Sequence, residues 1–157
     1  MASSVSAELL KQLSVVSQAL NNATDQLNEQ INTIEEALAS YNLGVSGWGI
    51  AHHVDHEERD NFGNVRDIHT QAIYAGYEKR SGKWCLLASS IFDSDPDTSQ
   101  EWILRDAPRE IRLQAIDGIP KLLEDMIAKA TKLSHEVSAK TAQAANLAQS
   151  IRPKKGQ

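Results

Sequence analysis

At 157 residues the chain has room for one folded domain, or for one elongated module that completes its core by oligomerising. An apolar fraction of 41% with 24% charged residues excludes a disordered chain, and a single cysteine, Cys85, excludes an internal disulfide framework and suits a reducing, cytoplasmic setting. The net charge of −5 argues against a protein whose main task is to grip nucleic acid, and no apolar run is long enough to cross a bilayer or to read as a signal peptide.

The charge is unevenly spread. Residues 1–44 hold one base and five acids, whereas residues 105–157 hold ten bases and six acids. An acidic first segment and a basic last one are matched electrostatic partners, within one chain or between two.

The first element is a helix over residues 5–43. Its apolar positions Leu9, Leu13, Val16, Leu20, Ala23 and Leu27 alternate in steps of four and three, and Ile31, Ile34, Leu38 and Tyr41 continue the stripe. That rhythm is the seam of a coiled coil, with a stutter at Leu27→Ile31. Such a helix is about 55 Å long, more than a domain of this size needs to cover its own core. Ser4 or Ser6 can cap its start, and Gly44 can take the left-handed conformation that ends it.

Residues 45–104 form a β insert with loops. Trp48, Ile50 and Val54 alternate with small or polar residues and read as a strand, while charged residues 55–70 read as a long loop. A hairpin follows, in which 72–79 and 84–92 flank a Ser81-Gly82 turn. Its register sets Lys79 against Trp84, Tyr77 against Leu86 and Ala75 against Ala88. One face then carries Ile73, Ala75, Tyr77, Trp84 and Leu86, and a pair of helices is the economical cover for it. Residues 93–100 read as a polar loop.

A short helix is expected over 106–117, capped by Asp106 with Pro108 in its first turn, and a long one over 119–151 opened by Pro120. The last helix repeats Ile119, Leu122, Met126, Ala130, Leu133 and Val137, with Ala144, Leu147 and Ile151 extending the stripe past Lys140. Residues 153–157 read as a disordered basic tail. The fold class is therefore α+β: long N- and C-terminal helices, coiled-coil-like and antiparallel, flanking an antiparallel β insert in a single elongated domain, 1–152. The long narrow seams call for a dimer or higher homo-oligomer.

Three constellations could carry chemistry. His52 and His56 share a side in either a strand or a helix, and His69 or a carboxylate could complete a zinc site for a metal-dependent hydrolase. The bland reading of that stretch is a solvated surface. Arg105, Arg109 and Arg112 cluster at the start of the short helix, where they could hold a small anionic, nucleotide-like ligand with Trp102, Tyr77 or Trp84 stacking on its planar part. Glu101, Asp106 and Glu110 interleave these arginines, so a structural salt-bridge network is the alternative. Asp93-x-Asp95-x-Asp97 starts like a calcium loop but lacks the glycine and glutamate that the pattern needs. No phosphate loop or nucleophile elbow occurs, and the sequence calls for no cofactor. The leading expectation is a non-catalytic, oligomeric interaction protein whose β insert and adjoining arginine-rich helix start present the binding surface to a protein partner.

Overall fold

The computed structural model describes residues 6–153 and Gly156. Three helices and a four-stranded antiparallel sheet make an α+β fold: α1 (Ala7–Ser40), β1 (Gly47–Arg59), β2 (Val65–Arg80), β3 (Lys83–Phe92), β4 (Asp95–Ile103), a 3-10 turn at Leu104–Asp106, α2 (Arg109–Ile116) and α3 (Ile119–Ile151). The strands form a meander in the order β1-β2-β3-β4. Among the described residues, no helix is long and apolar enough to cross a membrane. Ser4 and most of the expected basic tail lie outside the described residues.

The β2–β3 hairpin has the register expected from its turn, with Lys79 paired to Trp84, Tyr77 to Leu86 and Ala75 to Ala88. Ser81 and Gly82 sit at φ +49° and +82°, the two positive angles of a type I′ turn. Ile73, Ala75, Leu86 and Ala88 are fully buried on the face that the helices cover. There α1 contributes Ile31 and Leu38, α2 Ala115, and α3 Leu122 and Met126. Each Ile, Leu or Met among these contributes roughly 1.5–3 kcal/mol on burial, which makes this layer the main source of stability.

Two carboxylates fasten the long helices to the sheet. β4 pairs with β3 only from Leu87–Ile103 onward, and the Leu86 N–H is instead taken by Glu35 of α1 at 2.9 Å. On the opposite edge of the sheet, the Trp48 N–H of β1 is taken by Asp125 of α3 at 3.0 Å. An unpaired strand N–H beneath a helix would cost more than an ordinary hydrogen bond is worth, which explains an acid at each of these positions.

Several local expectations are corrected. Residues 55–70 are not a long loop: β1 runs to Arg59, β2 starts at Val65, and only a short turn joins them. Asp60 Oδ1 accepts from the backbone N–H groups of both Phe62 and Asn64, and Gly63 supplies φ +84°. Both sides of this ribbon are exposed, so it shows no apolar alternation. A bulge between Ile50 and His52 also turns the later residues over, placing Val54 on the opposite face from Trp48 and Ile50. Residues 95–100 belong to β4, where Pro96 is tolerated because the strand is an edge.

The short helix starts at Arg109, and Asp106 does not cap it. Pro108 excludes the residue before it from helical geometry, and Ala107 is accordingly extended at φ −64°, ψ 154°. The caps of the long helices follow expectation more closely: Ser6 Oγ accepts from the Leu9 N–H at 3.3 Å, and Pro120 lies in the first turn of α3. α1 stops at Ser40, and the chain leaves it through Asn42 and Gly44, both at positive φ.

The long seams are only half used. Within α1 the stripe passes from buried Ile31 and Leu38 to Leu9, Leu13, Val16 and Leu20, which are 46–64% exposed. Within α3 it passes from buried Leu122 and Met126 to Leu133, Val137, Leu147 and Ile151, which are 40–80% exposed. The groove along Leu133–Ala144 is lined by α3 residues alone, and that along Glu8–Val16 by α1 residues alone.

Candidate functional site

The arginine cluster is drawn together, and α1 is what it meets. Arg105 Nη1 donates to Asn32 Oδ1 at 3.0 Å and lies 3.9 Å from Glu35. Arg109 reaches Asn21 at 3.3 Å, and Arg112 reaches Asn28 at 3.0 Å. Asn21, Asn28 and Asn32 are spaced by seven and four, one face of a helix, so α1 presents a ladder of amide oxygens to three guanidiniums. Arg112 is buried; its Nη2 donates to the Ala107 carbonyl at 2.8 Å and its Nε has no partner. Arg105 and Arg109 remain at the surface, the two groups of the set that a solvent-borne anion can reach.

The aromatic residues are placed elsewhere. Tyr77 and Trp84 stack on each other with centroids 5.3 Å apart, beneath the end of α1, where Leu38 and Leu43 leave a cavity of only about 20 Å³. Burial and nearby Glu35 push the Tyr77 hydroxyl above its ordinary range. Trp102 lies on β4 opposite Ala88, on the face beneath the helices, partly buried against the core. The stacked pair is enclosed by α1 rather than open to a planar ligand.

The histidines diverge. His52 Nε2 pairs with Asp117 at 2.5 Å, where α2 gives way to α3. His56 hydrogen-bonds Gln71 at 2.8 Å and leans on the Phe92 ring. His69 lies near Glu58 and Asp67, and these three offer ligand atoms within 4.8 Å of one another. Neither His52 nor His56 belongs to that exposed group.

A cleft not singled out by the sequence opens on the sheet face away from the helices. Trp48, Tyr74, Ser89, Ile91 and Glu101 line a hollow of about 250 Å³. It exists because Gly76 has no side chain: the Trp48 ring lies over that position, and a Cβ there would come within 2.5 Å of it. Trp48 Nε1 donates to Glu78 at 2.7 Å, and Arg80 bridges Glu78 and Glu101. The result is an apolar floor with a charged rim, and the paired Trp48↔Gly76 positions were its only sequence-level signal. No family model matches this chain, and neither curated proteins nor solved structures give a match.

Proposed function

We propose that this chain is a non-catalytic interaction protein that assembles with copies of itself through its long helices and presents the open face of its sheet to a partner. One observation carries the reading: on both α1 and α3 an apolar stripe begins in the core and continues onto surface that nothing among the described residues covers. A stripe of this width on an isolated helix is ordinarily buried against another element. The cleft of Trp48, Tyr74, Ser89 and Ile91 supports the second half of the proposal, since an apolar floor with a polar rim is the make-up of a recognition patch. Light scattering coupled to gel filtration tests the assembly. The expected mass is twice 17.3 kDa or a higher multiple, and a 17.3 kDa species at all concentrations up to 100-fold above the working range overturns it.

A second reading, a small anionic ligand held by the arginines, draws on one observation. Among the described residues, Arg105, Arg109 and Arg112 meet three neutral amides and one carboxylate, Glu35. Titration calorimetry with inorganic phosphate and with ATP tests it. Heat that disappears in the Arg105→Ala, Arg109→Ala variant supports it, and no heat with either anion overturns it.

A further inference from the structure

We infer that the uncovered half of α1 seats on the uncovered half of α3 from a second copy, so that a two-fold dimer closes both stripes at once. This rests on the self-assembly proposed above and adds which surfaces meet.

The first argument is charge. No charged residue occurs from Gln12 to Thr24 of α1 or from Thr141 to Ile151 of α3. A helix that ends its career in water carries charges on its outer face, whereas the core of a protein interface is depleted of them. The segments 12–24 and 141–151 have the second composition. The uncovered stripe residues, Leu9, Leu13, Val16 and Leu20 of α1 and Leu133, Val137, Leu147 and Ile151 of α3, are 40–80% exposed, and a standard interface takes roughly 800 Å² per partner.

The second argument is fit. The α1 stripe is made of large residues, Leu9, Leu13, Val16 and Leu20, while the uncovered α3 stripe includes Ala144 and is flanked by Ser134, Ala148 and other small residues. Large knobs seat in holes lined by small residues, which favours the unlike pairing. The two exposed runs also match in length: 7–23 spans about 25 Å and 133–151 about 28 Å at 1.5 Å per residue.

The third argument is closure. Under a two-fold operation, α1 on the partner's α3 is matched by α3 on the partner's α1, and no stripe is left over.

Complementation tests the pairing. One variant carries Leu13→Glu and Val16→Glu, the other Val137→Lys and Leu147→Lys, each checked for helical circular dichroism and a cooperative thermal transition. Each alone is expected to fall to 17.3 kDa, because both of its equivalent contacts meet unmatched charges. An equimolar mixture is expected to regain the dimer mass: one contact is then native, and the other sets glutamates against lysines. If wild type is a dimer but the mixture stays monomeric, or if either variant alone stays dimeric, this pairing is overturned while self-assembly stands. A monomeric wild type overturns both. Should a charged variant fail to fold, Leu13→Ala and Val137→Ala replace it, and each is expected to weaken the dimer at least 10-fold; unchanged dissociation overturns the pairing.

Discussion

Arg112 of α2 donates from Nη1 to Oδ1 of Asn28 of α1 at 3.0 Å, joining residues 84 apart in the sequence. With the Ala107 carbonyl as its only other acceptor, a buried cation is held by two neutral oxygens. Removing Asn28 leaves a buried guanidinium N–H unpaired, and removing Arg112 takes the donor from the half-buried Asn28 amide and from the Ala107 carbonyl, each at a cost of about 1–3 kcal/mol. Asn28→Ala and Arg112→Ala are each expected to lower the urea unfolding free energy by that amount, and the double variant by less than the sum, because the two report one interaction. Arg109→Ala, which loses a longer and exposed contact to Asn21, is expected to change stability by less than about 0.5 kcal/mol. Equal effects at Arg109 and Arg112 would contradict this division of roles.

Gly49 is a point of close approach between β1 and the start of α3. A Cβ there would lie 2.1 Å from the Leu122 nitrogen and 2.4 Å from the Gly118 carbonyl oxygen, both backbone atoms that no rotamer change can move. Gly49→Ala therefore has to push the start of α3 off the sheet, and overpacking of this kind costs about 1–3 kcal/mol. The expected readout is a fall in thermal midpoint, with faster hydrogen exchange over the first turns of α3. Gly82→Ala meets no atom within 4 Å and suffers only the strain of φ +82°, about 1 kcal/mol, with exchange in α3 unchanged.

How much of this was legible in the sequence follows from where burial leaves a periodic trace. The Ser81-Gly82 hairpin could be read to the residue because one face of it is apolar from Ile73 to Leu86 and its turn chemistry fixes the register. The ribbon around His56 and Asp67 could not, because both of its sides are wet and strand alternation then carries no signal. The start of α2 was misplaced by a competition between Asp106, a good cap, and Pro108, which dictates the conformation of the residue before it. The arginines were legible as a group, but not their partners: nothing local marks Asn21, Asn28 and Asn32 as acceptors. The open-face cleft was hidden for the same reason, since Gly76 matters only once Trp48 lies across it.

Ser81 holds φ +49°, a region that suits asparagine and glycine better than serine. The type I′ turn requires that angle at its first position, so the present residue is a local compromise. Ser81→Asn is expected to raise stability by about 0.5–1 kcal/mol with no change in fold, measured as a higher urea midpoint at constant slope. Ser81→Val, whose branched side chain resists positive φ, is expected to lower it. A destabilising asparagine would mean that the turn relaxes out of the type I′ geometry in solution.

Asp125 gives the α3–sheet contact a pH dependence of defined sign. The hydrogen bond from Lys129 at 2.8 Å, and secondarily the Trp48 N–H, hold its carboxyl below its ordinary value of 3.8. A depressed folded-state value means that the ionised carboxylate stabilises the fold fully above pH 4 and that this contribution is lost as the pH falls through the lowered value. Asp60 is shifted in the same direction by its bonds to Asn64, so the pH profile of wild type alone cannot isolate Asp125. The difference between wild type and Asp125→Asn can, because the amide keeps an acceptor for Trp48 but does not titrate. Wild type is expected to be the more stable at pH 7, with the gap closing as the pH falls below 4. Since the Asp125 side chain is 35% exposed, raising the salt to 1 M is expected to narrow the gap at pH 7 as well. A gap that stays constant with pH would place the effect of Asp125 in packing rather than in charge.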